Sequence, residues 1–402
     1  MARNNQWGNK SFSDFKMKVI HVPIRYWPAI GGVENYVRQI CEGCVRLGHQ
    51  IDVYTSNLEQ HARGVKLKDY KKSENINGVK VFRFRSKYMS IPSQYPFLES
   101  LPSKLLSANA DLIHGHCFYY FTGDVSSLIA KIRRKPFVFN PYFYHRNSWK
   151  WKFYQKVMGR MLFNADAVIV ISEFEKLLIE KEGFQIKRFE LIPPAVDPTE
   201  FEIETEDVYS KFSIDTSKKR VVLFVGRVDT GKGIDTLIHA GPQILKSAPE
   251  TVFFIVGPDW GNKEEYENLV HKLKLQKDVV FAGSLSRKEL LGAYKNATLL
   301  VLPSRYEAFG IVMIEALAAG IPVVASNTSA MPYVIDHEKT GILFTPNDSS
   351  ALAEGVIRLL KNEKLCAEMG SLGREIVLKK YTMQLQQEKL ENLYQSLSPL
   401  KN

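Results

Sequence analysis

Apolar runs recur along the chain at lengths that suit buried parallel strands, and between them lie stretches with apolar residues on one helical face. In the first half the strand pattern falls on KVIHVPI (18–24), QIDVYTS (50–56), VKVFRFR (79–85), ADLIHGH (110–116), PFVFNPY (136–142) and ADAVIVIS (165–172), with a helix from about Val33. The second half restarts with VVLFVG at 221–226 and continues with VFFIVG, DVVFAG, TLLVLPS and PVVAS. Strands alternating with helices predict an α/β class with parallel sheets flanked by helices. Between the halves, LIPPAVDPTEFEIETEDVYSKF sets prolines before an acidic run and reads as a linker. The expectation is two doubly wound sheets in tandem: a tail over 1–16, a first domain over 17–197, a linker over 198–219, a second domain over 220–380, and a helix over 381–402 that returns to the first domain. Ligands of such sheets bind outside the carboxyl ends of the strands, so the two domains are expected to face a cleft.

Helix signals sharpen this frame. Ser172 and Glu175 have capping-box spacing and open the helix after ADAVIVIS. A second helix is expected from near Ile311, with Gly320 at its stop and Pro322 opening the next strand. Cys41 and Cys44 form a CxxC, but they share the apolar stripe of VENYVRQICEGCVRLG with Val37, Ile40 and Val45, and no second pair completes a zinc site. Core packing is the expectation there.

Composition narrows the class. The 402 residues are 45% hydrophobic and 24% charged, ordinary for a globular protein. The apolar runs all fall short of the ~18 residues that a membrane-spanning helix needs, the polar start MARNNQWGNKSFSDFK lacks the apolar centre of a secretory signal, and four scattered cysteines suit a reducing cytoplasm. A net charge of +11 points to phosphate-bearing partners. With no zinc-finger, RRM or KH signature, nucleic acid is not the expected one.

Two loops carry candidate chemistry. GRVDTGKG follows strand VVLFVG and places Arg227 and Lys232 in a glycine-bearing turn at a strand's carboxyl end. Two cations there suit a diphosphate, a charge that becomes a leaving group when a glycosyl bond breaks; a solvated basic turn is the plainer alternative. No GxxxxGK[ST] is present. The other loop is SRYEAFGIVMIEALAAG, 304–320, where Glu307 precedes a helix and Glu315 lies inside it among Ile311, Val312, Ile314 and Leu317. The N–H groups around Phe309, Gly310, Ile311 and Val312 form an anion site at the helix start. An unpaired carboxylate at Glu315 is expensive, so it either accepts hydrogen bonds from a sugar ring or pairs with a neighbouring cation. In the first half, Gly31 and Gly32 make a strand-to-helix turn where backbone can approach a ligand closely, and His114 and His116 alternate on one face of ADLIHGH.

Arg227, Lys232 and Glu307-x7-Glu315 together resemble the retaining glycosyltransferases of the GT-B fold, glycosyltransferase 4 type (glycosyl transferases group 1). PAIGGVE, ADLIHGH, SEFEK, IPPAVDPTEF, GRVDTGKGID and LPSRYEAFGIVMIEALAAGIPVVAS look like that family's blocks in the family's order, from about Lys18 to the last helix. The resemblance implies two Rossmann-like domains, with Arg227 and Lys232 on the donor diphosphate, Glu307 on the donor sugar and Glu315 on the ribose. It also implies that Phe309 to Val312 meet phosphate or sugar through backbone amides, that Ser304 assists, that Gly31 and Gly32 reach donor and acceptor, and that His116 stands beside the reacting sugar. One block departs from the pattern: the usual Pro-Asn-Gly-Val-Asp reads Pro-Pro-Ala-Val-Asp at Pro193 to Asp197.

The implied reaction moves a sugar from a nucleotide-diphosphate sugar, such as a UDP- or GDP-sugar, to an acceptor hydroxyl with retention of configuration. A double displacement requires a carboxylate beneath the sugar, and the sequence offers no convincing one, so front-face substitution, the family's usual proposal, is the alternative. No Asp-x-Asp is present, and the expectation is no catalytic metal and no cofactor beyond the donor. PYFYHRNSWKWKFYQKVMGRML, 141–162, interleaves Tyr142, Phe143, Tyr144, Trp149, Trp151, Phe153 and Tyr154 with Arg146, Lys150, Lys152, Lys156 and Arg160, and Lys131, Arg133, Arg134 and Lys135 lie upstream. That pattern suits an anionic bilayer surface, or else a helix that packs its aromatics inward and shows its cations to water. The expected acceptor is a lipid-linked or other glycan, and the expected location is cytoplasmic and peripheral at the inner face of the membrane. The rival readings are a sugar-nucleotide epimerase of the same fold and a non-catalytic nucleotide-sugar-binding protein; a dinucleotide oxidoreductase lacks its GxGxxG after the first strand.

Overall fold

Parallel pairing takes up the apolar runs in two separate sheets. The structure is a computed structural model that describes residues 15–29, 31–60, 65–66, 70–88, 95–145 and 148–398. Most of the expected tail and Arg146 of the basic, aromatic segment lie outside the described residues. The chain divides into two compact units, Met1–Val170 with Lys176–Ile192 and Gln386–Asn402, and Ile171–Glu175 with Pro193–Leu385.

In the first unit, eight strands lie in the order Phe189–Leu191, Ala167–Val170, Phe137–Asn140, Leu112–His116, Lys18–Val22, Gln50–Ser56, Val79–Phe84 and Ser73–Ile76. All pairs are parallel except the last, a hairpin edge turned at Asn77 and Gly78. The inner strands are buried almost throughout, and Val19, Ile20, Val22, Leu112, Ile113, Val138 and Phe139 are inaccessible to water. Helix Gly32–Arg46 buries Tyr36, Val37, Ile40, Cys41 and Cys44. Burial pushes both thiols well above their ordinary pKa, so the CxxC is inert packing rather than redox chemistry.

The second unit holds six parallel strands ordered Val279–Gly283, Thr251–Val256, Arg220–Val225, Leu299–Leu302, Val323–Ser326 and Gly341–Phe344. The stretch 198–219, expected as a linker, belongs to this unit. Its acidic run is broken by Phe201, Val208 and Tyr209, which are buried, and the Tyr209 hydroxyl donates to the Ala293 carbonyl at 2.7 Å. Ser172 caps helix Glu173–Lys181 by accepting from the Glu175 N–H at 3.1 Å, while Glu175 reaches back to the Ile171 N–H, one residue short of a full capping box.

The last described helix, Met383–Ser396, contributes to the first unit from Gln386 onward. Leu390, Leu393 and Tyr394 are buried there, and Glu391 accepts from His49 Nε2 at 2.5 Å. Among the described residues, no helix is long and apolar enough to cross a membrane.

Candidate functional site

The order of the second sheet creates the site. Strand Arg220–Val225 is paired on one side with the strand that follows it in the chain and on the other with Leu299–Leu302. The connections leave these neighbours in opposite directions, which opens a crevice at their carboxyl ends. Both candidate loops start there.

In the first loop, Asp229 caps the turn Thr230–Lys232 by accepting from the Gly231 N–H at 2.8 Å. Arg227 pairs with Asp229 at 3.0 Å, and its guanidinium lies 4.3 Å from the centre of the Trp260 ring. Lys232 turns toward the second loop, where its Nζ meets Glu307 Oε1 at 2.6 Å. Gly233 makes this approach possible: its φ is +65°, and a Cβ there would fall 2.0 Å from the Pro303 carbonyl oxygen.

The second loop is built around Glu307. The buried Ser304 hydroxyl donates to Glu307 Oε1 at 2.8 Å, and the Glu307 carbonyl accepts from the Ala330 N–H at 3.2 Å. Phe309 is buried against the Tyr381 ring, and the Ala308 carbonyl accepts the Ser172 hydroxyl at 2.9 Å. Gly310, at φ 84°, turns the chain into helix Ile311–Ala318. The first-turn N–H groups of that helix, Ile311 and Val312 among them, have no partner within it and face its mouth. Lys232, Ser304 and Glu307 therefore form one hydrogen-bonded group beside a helix N-terminus, a place suited to phosphate and to sugar hydroxyls.

Glu315 has other partners. It is only 8% exposed; Arg287 donates to its Oε1 at 2.5 Å and the Tyr294 hydroxyl to its Oε2 at 2.9 Å. Arg287 also grips Glu200 at 2.6 Å. Burial alone lowers the Arg287 pKa, but Glu315 and Glu200 outweigh it and the guanidinium keeps its charge more firmly than usual. Of the two alternatives for Glu315, the cation pair is the one the structure displays. Arg287 and Tyr294 carried no signal in the sequence, because they reach Glu315 from a helix 21 and 28 positions away.

In the first unit, Gly31 packs its backbone on the buried Glu34 carboxylate, which pairs with Arg25 at 2.5 Å. A Cβ at Gly31 would sit 2.0 Å from Glu34 Oε2, whereas one at Gly32 would meet nothing within 4 Å. Close approach to Glu34 explains the first glycine; the second borders open space.

His116 is wholly buried and belongs to a chain that includes a third histidine, His21, from the neighbouring strand. Asn140 sets the direction, since its NH2 donates to the Ile169 carbonyl at 3.0 Å and its Oδ1 must then accept from His114 Nε2 at 2.8 Å. His114 Nδ1 is left to accept the Tyr394 hydroxyl at 2.8 Å. Tyr394 oxygen accepts from His21 Nε2 at 3.3 Å, His21 Nδ1 from His116 Nε2 at 3.0 Å, and His116 Nδ1 from the Tyr142 hydroxyl at 3.1 Å. All three imidazoles are neutral Nε2–H tautomers. Burial holds His21 and His116 well below the ordinary histidine pKa, with His114 adding to the effect, and burial takes His114 down to about 3. The three rings offer nitrogens within 4.8 Å of one another, a metal-like spacing, but every nitrogen is already spent in the chain. A direct contact from His116 to a sugar requires Tyr142 to give up its hydrogen bond.

Two α/β units with parallel sheets, one carrying a cation–carboxylate group at its switch point, define a protein of two Rossmann-like domains. The profile described as Glycosyltransferase Family 4 matches residues 30–200, and the profile described as Glycosyl transferases group 1 matches residues 207–376. The chain belongs to this family of GT-B glycosyltransferases and is a glycosyltransferase. It is 29% identical over 411 residues to an uncharacterized glycosyltransferase of Methanocaldococcus jannaschii, covering 94% of this chain and 98% of that one. It is 27% identical over 405 residues to a D-inositol 3-phosphate glycosyltransferase of Corynebacterium jeikeium, covering 92% of each. Among solved structures, sucrose-phosphate synthase from Thermosynechococcus elongatus superposes with a TM-score of 0.76 at 25% identity, covering 94% of this chain and 98% of that one.

Proposed function

We propose that the chain moves a sugar from a nucleotide-diphosphate sugar to a hydroxyl of a lipid-linked or other glycan acceptor, with retention of configuration and without a catalytic metal. The observation that carries this reading is the Lys232–Glu307–Ser304 group at the second unit's switch point. Lys232 and Glu307 neutralise each other across their 2.6 Å contact. A sugar diphosphate separates their tasks: Lys232 and Arg227 take the diphosphate, Glu307 accepts from sugar hydroxyls, and the amides from Phe309 to Val312 receive the remaining oxygens. As the glycosyl bond breaks, charge grows on the diphosphate and these fixed cations stabilise it. Glu315 reaches the ribose in this reading, held in place by Arg287 and Tyr294. Gly31, Gly32 and His116 are the first unit's proposed contribution to sugar and acceptor.

The C. jeikeium relative is named for D-inositol 3-phosphate, which supports an acceptor that joins hydroxyls to phosphate. For a peripheral bilayer surface, the support is the helical stretch Trp149–Leu162, where Trp149, Phe153 and Val157 are 74%, 66% and 51% exposed while Trp151 and Tyr154 pack against the core. The aromatics thus divide between two faces of the helix, Trp151 and Tyr154 turned inward and Trp149 and Phe153 outward.

The test begins with UDP- and GDP-sugars, screened for thermal stabilisation of the full chain, and continues with transfer by the stabilising donor to glycolipid acceptors. Product of retained configuration, formed equally in the presence of a chelator, is the expected result. Loss of turnover on chelation contradicts metal independence, and an epimerised donor formed without acceptor favours the epimerase.

A further inference from the structure

From Asp124 to Asp166 the chain contains no Asp or Glu between those two residues, although nine of its lysines and arginines fall there. Part of this charge lines a cavity of about 820 Å³ between the helical stretch 149–162 and the turn at 182–185. Lys152, Lys156 and Arg160, spaced four residues apart, all border it. Among the described residues, none of the three forms an ion pair. The cavity's carboxylate, Glu182, is already engaged by His145 Nδ1 at 2.9 Å. A π-helical segment, Gln155–Gly159, lies between the outer cations; Gln155 is anchored by its Nε2 bond to the Tyr119 hydroxyl at 2.6 Å, and Gly159 lies against the Phe184 ring. The cations thus project from a fixed wall, and the exposed row Trp149, Phe153 and Val157 runs along the same helical stretch.

We propose that this groove is a second anion site, separate from the donor loops, and that it takes the phosphate monoester headgroup of a bilayer lipid. Three unpaired cations around one opening favour a compact group carrying nearly two charges and several acceptor oxygens. A diester phosphate carries only one charge and two free oxygens. The apolar row supplies the reason for a lipid source: a helix with exposed aromatics beside cations lies in the headgroup layer with its apolar side chains below the phosphates. The proposal rests on the peripheral-membrane part of the reading above.

The experiment measures partitioning of the full chain to three kinds of vesicle: phosphatidylcholine alone, phosphatidylcholine with phosphatidylglycerol, and phosphatidylcholine with phosphatidic acid at matched surface charge. Tighter binding to phosphatidic acid than to phosphatidylglycerol is expected, and Lys156→Ala with Arg160→Ala should abolish that preference, weakening phosphatidic acid binding roughly 25-fold at about fivefold per cation. Lys152→Gln, a change at an exposed position, serves as a second variant should the first melt early. Donor stabilisation should be unaltered in both, because the donor loops lie in the second unit. Equal binding to the two anionic vesicles, with no stabilisation by glycerol 3-phosphate, overturns the groove as a monoester site and leaves the peripheral reading standing. Binding no better than to phosphatidylcholine overturns both. Glycerol 3-phosphate that stabilises the protein without any preference for phosphatidic acid vesicles overturns the lipid source.

Discussion

Glu307 and Lys232 hold each other at 2.6 Å, and their separate substitution should have unlike effects. Lys232→Ala is expected to lower kcat/KM for transfer roughly 10²- to 10³-fold, the usual cost of one lost donor to a developing anion. Glu307→Ala should lose transfer while calorimetry finds nucleotide diphosphate bound within a few-fold of wild type; equal loss of both would place Glu307 on the nucleotide instead. The histidine chain has a different signature. A histidine whose folded pKa lies below its unfolded value contributes stability present above about pH 6.5 and lost as pH falls, because the unfolded chain takes up the proton first. His114, held near 3 by burial, should cost about 2 kcal/mol between pH 7 and pH 5. Urea titrations at both pH values should therefore show a shallower acid loss in His114→Gln by about one proton. Nitrogen shifts of His21, His114 and His116 should all report the Nε2–H tautomer at pH 7.

At the scale of elements, Gly233→Ala is a sharp probe. A methyl 2.0 Å from the Pro303 carbonyl must push the two loops apart, at a cost of roughly 2–3 kcal/mol. Thermal stabilisation by a nucleotide sugar should vanish with the Lys232–Glu307 contact; a normal shift would show that the loops bind independently. The main strands and the helices at 32, 311 and 383 were legible, since long apolar runs between capping signals leave few alternatives. Strands Ser73–Ile76 and Phe189–Leu191 were missed because three or four half-exposed residues carry no period, and Gly341–Phe344 because four residues after a turn are too short a run to stand out. The linker reading failed because composition weighed the acids and overlooked three buried side chains among them. For the site, loop residues at strand ends were visible as charged groups next to glycine. Arg287, Tyr294, His21 and Tyr142 were not, as their roles depend on pairing between distant segments.

On the scale of the whole molecule, the two units differ in how continuous their sequence is. Apart from Ile171–Glu175 the second is one stretch, Pro193–Leu385, whereas the first is closed by residues from Gln386 onward. Removing everything after Leu385 should destabilise the first unit, which loses the Glu391 and Tyr394 contacts, and spare the second. Trp260 is the second unit's only tryptophan, so with the four tryptophans of the first unit replaced by Phe its fluorescence should keep its denaturation midpoint while the far-ultraviolet signal gains an earlier transition. A single shifted transition by both probes would mean that the units unfold as one.

The placement of Tyr394 also bears on how the protein is made. A ribosome releases the Tyr394 hydroxyl, which bonds His114 and His21, only after the second unit's sequence has been synthesised, so the earlier-born sheet lacks that contact while its successor emerges. Nascent chains held by an appended arrest sequence, with Leu385 outside the exit tunnel and Gln386 onward still inside it, should resist protease in the later unit and be cut in the earlier one.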